Sequence, residues 1–173
     1  MKKGTCISCG NSKAQLECGI CHGAICKSCT QFLETDHLFY MPQIPEHLSH
    51  QTYCEPCFNE VIAKDLDIYN DNIAKAKEVA VFEKNQGKET RMIKRDHDPV
   101  YIKDCVDYNQ AILKLAFQAV LVGCNAIIDM DLNQKKVKSG GTYRTSAWSG
   151  SAIPAHVSPD QLVKDRSIWH NPN

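Results

Sequence analysis

Eight of the ten cysteines in this chain form four Cys-x-x-Cys pairs within the first 57 residues. The two residues inside each pair allow both thiolates to reach one ion, and a tetrahedral zinc site needs four such ligands. Eight thiolates therefore predict two closed sites and two Zn²⁺ ions per chain. The pairs are Cys6/Cys9, Cys18/Cys21, Cys26/Cys29 and Cys54/Cys57.

The gaps between the pairs bear on which pairs share a metal. In a sequential scheme, pairs one and two bind one ion, and pairs three and four bind the other. In an interleaved scheme, pairs one and three share one ion, and pairs two and four share the second. Only four residues separate Cys21 from Cys26. So short a link hardly allows one complete metal site to end at Cys21 and a second to begin at Cys26, which favours the interleaved scheme. The favoured sets are Cys6, Cys9, Cys26 and Cys29 for one zinc, and Cys18, Cys21, Cys54 and Cys57 for the other.

The composition and the N-terminal sequence indicate the cellular environment of these cysteines. The formal net charge of the 173 residues is zero, so no general attraction to nucleic acid is expected. The N-terminal residues have no apolar segment of the signal-peptide type, which makes a cytoplasmic location the expectation. In that reducing setting, paired cysteines are metal ligands more often than disulfides. Apolar residues are sparse before Val61, so the first third of the chain needs metal ions to fold.

Two segments around these ligands resemble cross-brace zinc fingers, and the FYVE branch in particular. They are the run from Cys18 to Cys29 and the closing segment 53–58, in which an aromatic residue follows the last ligand. The resemblance implies a two-zinc finger over residues 1–60. FYVE domains bind phosphatidylinositol 3-phosphate through a basic run before their third ligand. Here that position has no cation and ends in Glu17, so phosphoinositide binding is disfavoured.

Residues 30–53 form a long insert between the third and fourth pairs. Its apolar side chains include the run 38–41, and we expect them to pack on the metal sites as a small core. A partner-binding surface is the alternative if this run is exposed. Four histidines in the finger could each replace a cysteine ligand, but eight cysteines already fill both sites. These histidines are His22, His37, His47 and His50.

A connector helix is predicted over residues 61–78. Apolar side chains recur at alternate steps of four and three, which gives one stripe along a helix. The segment 79–82 is rich in β-branched residues, which favours the start of a strand there as an alternative to a longer helix, so the end of the helix stays open. The stripe consists of Ile62, Leu66, Tyr69, Ile73, Ala76 and Ala80.

The segment after the helix is predicted to hold two short strands, Thr90–Lys94 and Val100–Lys103, around a loop. The loop carries His97 between two aspartates. Such a group can bind metal or take part in catalysis, but a solvated loop tip is the favoured interpretation.

The domain at 79–156 is predicted to be α+β, with a helix packed on a mostly antiparallel sheet. Asp107 and Gln110 form a capping box, and the helix runs to Val122 with Gly123 as its stop. A strand is predicted at 125–132. A polar, flexible connection over Asn133–Gly141 and a second strand over Thr142–Ile153 follow. The small side chains of the second strand suit an assembly interface.

The segments 116–131 and 148–152 resemble the YbjQ-like family. The resemblance implies a small α+β domain that assembles into ring-shaped homo-oligomers and carries a heavy-metal-binding label. Ligand spacing gives that label little support here, and Cys105 and Cys124 are interpreted as buried free thiols. A tail over 157–173 is predicted to contain a short helix.

Together these features predict a non-enzymatic, zinc-binding adaptor or protein-interaction module, assembled through its C-terminal domain as a homo-oligomer. No catalytic sequence pattern is visible, and zinc held by four cysteines does not activate water. The alternatives are phosphoinositide-dependent membrane recruitment, a ubiquitin-ligase-like activity, and metal sensing or storage. The gap between Cys21 and Cys26 and the lack of a histidine ligand count against the ligase. Storage predicts more than two metal ions per chain.

Overall fold

The structure is a computed structural model that describes residues 4–138, 144–158 and 160. The chain divides into two compact units, Met1–Asn70 and Asp71–Asn173. Among the described residues, no helix is both long and apolar enough to cross a lipid bilayer. The helix expected in the tail falls almost entirely outside the described residues.

Two small antiparallel sheets position the cysteines of the first unit. Strand β1 (Leu16–Glu17) pairs with β2 (Ala24–Ile25), and β3 (Thr30–Phe32) pairs with β4 (Thr52–Cys54). Strands β1 and β2 each lead directly into a cysteine pair, and β4 ends on a cysteine. Two-stranded sheets of this size are marginal by themselves, so their stability depends on what the cysteines bind.

The helix that follows the finger begins earlier than residue 61. A first turn, α1 (Glu55–Cys57), continues through a π-helical turn (Phe58–Ile62) into α2 (Ala63–Lys77). The last cysteine pair therefore lies at the helix start, where Pro56 suits the first turn. The predicted apolar stripe is confirmed from Ile62 to Ala76, where each member is buried or half-buried, whereas Ala80 lies beyond the helix in the strand Ala80–Glu83. The buried members are Ile62, Tyr69, Ala76 and Ala80.

The insert at 30–53 packs through a few buried apolar side chains, as expected for part of its apolar residues. Leu38 and Leu48 are 1% exposed, and Tyr53 is fully buried. The Tyr53 hydroxyl lies 2.8 Å from the carbonyl oxygens of His47 and His50. These contacts give the insert its own small core.

Helix α2 also holds the insert through polar contacts. The Tyr69 hydroxyl donates to the His37 carbonyl at 2.9 Å, and His47 Nε2 lies 2.5 Å from Asp65 Oδ2. Because Tyr69 is 4% exposed, its bond fixes the insert from within the core of the first unit.

The second unit contains a four-stranded sheet in the order β5-β7-β8-β6. Its strands are β5 (Ala80–Glu83), β6 (Val100–Cys105), β7 (Ala126–Lys138) and β8 (Arg144–Ala155). The β5–β7 pair is parallel, and the other two pairs are antiparallel. Helix α3 (Tyr108–Leu121) packs against β6, β7 and β8. The α+β class is confirmed.

Both ends of α3 follow the prediction. Asp107 Oδ1 accepts a hydrogen bond from the Gln110 backbone N–H at 2.7 Å. The Gln110 side chain accepts from the backbone N–H of Val106 at 2.8 Å, one residue before the N-cap. At the other end, Gly123 has φ +80°. The N–H groups of Gly123 and Cys124 donate to α3 carbonyls in a Schellman motif.

The predicted strand at Thr90–Lys94 is wrong, because this segment forms turns. Local hydrogen bonds satisfy its backbone, including the Ile93 N–H donating to the Thr90 carbonyl at 3.0 Å. The turn places Ile93 in a core cluster with Phe82 and Ile128. Burial of this side chain competes with strand pairing here and wins.

The predicted flexible connection at Asn133–Gly141 is also wrong over most of its length. Strand β7 continues to Lys138 and pairs with β8 residue by residue from Asp131 onward. Backbone pairing sustains a polar ladder that hydropathy alone does not reveal.

A bulge interrupts β7 between Ile128 and Asp131. Asp129 there has φ +51°, and the alternation of side chains between the two faces of the strand shifts at that point. Across the bulge, a side chain on Gly150 would meet the Asp131 carbonyl oxygen at 2.1 Å. Close approach of two strands within one chain therefore explains this small residue without an assembly interface.

Candidate metal centres

The structure assembles the eight paired cysteines into two groups of four. Within each group, the sulphur atoms all lie within 4.8 Å of one another. Pair one joins pair three and pair two joins pair four, which is the interleaved arrangement. The groups are Cys6, Cys9, Cys26 and Cys29, and Cys18, Cys21, Cys54 and Cys57.

The sulphur separations fit a tetrahedral metal. Zn–S bonds of about 2.3 Å place neighbouring sulphurs about 3.8 Å apart in a tetrahedron. Cys9 Sγ lies 3.6 Å from Cys26 Sγ, and Cys21 Sγ lies 3.8 Å from Cys54 Sγ. These distances exceed the roughly 2.05 Å of a disulfide, and all ten cysteines are free.

Each group combines two kinds of turn. The first pair of each group lies in a loop whose fifth residue donates its N–H to the carbonyl of the first cysteine, at 2.9–3.0 Å. This fifth residue is Gly10 in one loop and His22 in the other, with φ +73° and +57°. The second pair of each group lies in a helical turn, Lys27–Cys29 or Glu55–Cys57. The two sites therefore repeat one local design.

Burial is distributed alike in the two groups. Each contains two buried cysteines, one exposed and one half-buried. The buried cysteines face the interior of the first unit, and the others close each site from the surface. A metal ion in either site would thus connect buried cysteines of the first unit to cysteines at its surface.

The thiol pKa values in the first group diverge. The backbone N–H of Cys26 donates to Cys6 Sγ at 3.4 Å and is the main reason that the pKa of Cys6 falls to about 6. Hydrogen bonding with the thiols of Cys9 and Cys26 raises the pKa of Cys29 to about 12.

The second group behaves in the same way. Burial raises the pKa of Cys18, but backbone N–H groups of Cys54, Cys21 and Ile20 outweigh it and lower that pKa to about 6. Burial and the Cys54 thiol raise the pKa of Cys57. Four adjacent thiols cannot all ionise alone, whereas a divalent cation stabilises all four thiolates.

The histidines of the finger lie outside both groups. His22 Nδ1 is 2.9 Å from Glu17 Oε1, and His37 Nε2 is 3.2 Å from Glu34 Oε2. His47 pairs with Asp65, as described above. Glu17 is exposed and engaged with His22, so the segment before the third ligand presents no cationic surface.

A third group was missed at the sequence level. Ligand atoms of His97, Cys124 and His156 lie within 4.8 Å of one another. Cys124 is buried, as predicted. His97, predicted to lie at a solvated loop tip, is instead half-buried, and its ring lies 5.9 Å from that of His156. The sequence hides this group because its members are distant along the chain. Strand pairing of Ala126 with Ala155 brings Cys124, two residues before Ala126, near His156, which follows Ala155.

Other polar candidates of the second unit lie apart from this group. Cys105 is buried, and its Sγ donates to the Lys103 carbonyl at 3.8 Å. Asp129 pairs with Arg95, and Asp131 pairs with Lys84 at 3.1 Å. None of these residues joins a metal-binding group within the part of the chain that the structure describes.

Comparison with models of known protein families, with curated proteins and with solved structures found no match for this chain. The FYVE-like and YbjQ-like resemblances therefore stay predictions from the sequence.

Proposed function

We propose that this chain is a non-enzymatic, zinc-stabilised adaptor that binds a protein partner through its first unit and self-associates through its second. One observation carries the proposal. The eight thiols form two interleaved groups of four, and the sulphurs of each group all lie within 4.8 Å of one another. One sulphur pair in each group lies at 3.6 or 3.8 Å, close to the separation around tetrahedral zinc.

Zinc in these sites would be structural. Four cysteines fill all four positions of a tetrahedral ion, so no position is left for a substrate or an activated water. The ions would instead hold together a unit whose strands are two or three residues long. The function then belongs to the surface that the ions support.

The exposed apolar side chains of the insert support a partner surface. Leu38 is buried, so the run 38–41 does not supply that surface as a whole. Phe32 and Ile44 of the same insert are 56% and 38% exposed. Exposed aromatic and aliphatic side chains on a rigid support are typical anchors in protein interfaces.

The edge strand β6 supports self-association of the second unit. Edge strands carry unpaired backbone groups that can pair with another chain. Tyr101 and Val106, in β6 and directly after it, are 68% and 73% exposed. Two copies joined here would present two zinc modules, and the contacts of each module with a partner would reinforce one another.

Self-association is tested by multi-angle light scattering of the zinc-loaded chain. A mass of two or more subunits is expected, and Tyr101→Lys should shift it toward the monomer. Met92→Lys is the matched control, because Met92 is 81% exposed but lies in a turn outside β6. A monomeric wild-type chain would remove this part of the proposal.

The partner surface is tested with a photo-crosslinking residue at position 32 or, as a control, at position 13. Crosslinks to one protein species are expected from position 32 only, and chelation of zinc should abolish them. Equal capture from both positions, or capture that survives chelation, would contradict an adaptor surface supported by zinc.

A further inference from the structure

The group formed by His97, Cys124 and His156 lies in the second unit and shares no residue with the four-cysteine sites. We propose that these three side chains form a third metal site, which binds Zn²⁺ through two imidazole nitrogens and one thiolate. The site differs in kind from the other two because three protein ligands leave one coordination position open.

Cys124 is held in place from both sides. Its N–H donates to the Ala119 carbonyl at 2.9 Å at the end of α3. The next residue, Asn125, exchanges two hydrogen bonds of 2.8 Å with the backbone of Val157. These bonds hold the segment that carries Cys124 against the segment that carries His156.

The loop that carries His97 is anchored by Arg95. The Arg95 guanidinium makes two hydrogen bonds to the Asp129 carboxylate, at 2.7 and 3.2 Å. It also donates to the Ile93 carbonyl at 3.2 Å. The loop is therefore tied to the β7 bulge, and metal binding would not have to order it.

The donor set suits a borderline-soft divalent cation. Thiolate and imidazole are the ligands that zinc takes most often in proteins. Ligand atoms around tetrahedral zinc lie about 3.3–3.8 Å apart, so movements of about 1 Å would close the present group. Cys124 is 4% exposed, and its Sγ has no hydrogen-bond partner among the described residues. A bound metal ion would give this buried sulphur a partner.

Space for a fourth ligand is present beside the group. A cavity of about 370 Å³ is lined by His156 and Asp96, among other residues. Asp96 Oδ1 lies 3.9 Å from His97 Nε2. A water molecule can complete the tetrahedron, and the Asp96 carboxylate lies within ion-pair range of the His97 imidazole.

The test is a metal count by native mass spectrometry on the full chain without an affinity tag, after loading with Zn²⁺ and removal of excess. Wild type should retain three ions, and the double variant His97→Ala/His156→Ala should retain two. Cys105→Ser is the matched control, because it removes a buried thiol of the same unit outside the group, and it should retain three. Equal counts in wild type and the double variant would overturn the third site.

Co²⁺ provides a second measurement that does not depend on the total count. Cys124→Ser and the double variant should each lose the same part of the visible cobalt absorption, while Cys105→Ser keeps it. An unchanged spectrum would overturn the assignment. Failure of the four-cysteine sites is distinguishable, since it would lower the count equally in wild type and variants and leave their difference at one.

Discussion

Removal of the two zinc ions from the four-cysteine sites is expected to unfold the first unit and leave the sheet of the second unit folded. Zinc binding by small structural sites is worth about 10–16 kcal/mol per ion at neutral pH. Whole domains are stable by only about 5–15 kcal/mol. The binding free energy of two zinc ions is therefore at least as large as the free energy of unfolding that a unit of this size can have.

Interleaving sharpens this expectation. One site joins residues 6–9 to 26–29, and the other joins 18–21 to 54–57. Each site thus closes a loop that contains part of the other. Cys6→Ser should therefore expose the backbone at β4 as well as near residue 6. In a sequential arrangement, the segment 26–57 would keep its own metal and its protection.

The assay is hydrogen–deuterium exchange with mass spectrometry, in the presence of a reductant, for the zinc-loaded, chelated and Cys6→Ser chains. Amides of 4–62 should exchange rapidly in the last two, while amides of β7 and β8 stay protected. Cys105→Ser should match the zinc-loaded wild type. Persistent protection of β3 and β4 in the chelated chain would show that the first unit keeps its fold without metal, which contradicts the expected unfolding.

Three further predictions concern individual groups. Gly150→Ala should destabilise the second unit by about 3 kcal/mol or more in urea unfolding, because the new Cβ would meet the Asp131 carbonyl oxygen at 2.1 Å; a loss below 1 kcal/mol would contradict the close approach. Asp107→Ala should cost about 1 kcal/mol in the same assay, because it removes the N-cap bond of α3; an unchanged midpoint would contradict that cap. Zinc loading at pH 7 should release about six protons or fewer from the eight thiols, because Cys6 and Cys18, each with a pKa of about 6, are already ionised there. Zinc affinity should then fall as the pH drops through 6, where these two thiolates gain protons. A pH indicator measures the protons released when zinc binds to the His97→Ala/His156→Ala variant, in which only the four-cysteine sites remain. Release of eight protons would contradict the lowered pKa values of Cys6 and Cys18.

The sequence predicts the four-cysteine groups well because their information is local. A Cys-x-x-Cys turn places two ligands regardless of the rest of the fold, and one short gap between Cys21 and Cys26 favours their pairing. The caps of α3 are local in the same sense. Asp107 and Gly123 act within four or five residues of their positions.

Features that depend on pairing between distant segments could not be predicted in this way. The β7 ladder beyond Asn133 is polar, so only the presence of β8 opposite shows that it is a strand. The bulge at Asp129 shifts the side-chain alternation without a signal in hydropathy. The group of His97, Cys124 and His156 also depends on pairing between distant segments, since Ala126 of β7 pairs with Ala155 of β8 and so brings Cys124 near His156.

Replacement of zinc with ¹¹³Cd shows whether two interleaved sets of four thiolates each hold one metal ion, because ¹¹³Cd–¹H couplings to cysteine β-protons identify the ligands of each ion. One ion should couple to pairs one and three and the other to pairs two and four. Coupling of one ion to pairs one and two, or to fewer than four cysteines, would contradict the interleaved metal sites. The expected ligand sets are Cys6, Cys9, Cys26 and Cys29 for one ion, and Cys18, Cys21, Cys54 and Cys57 for the other.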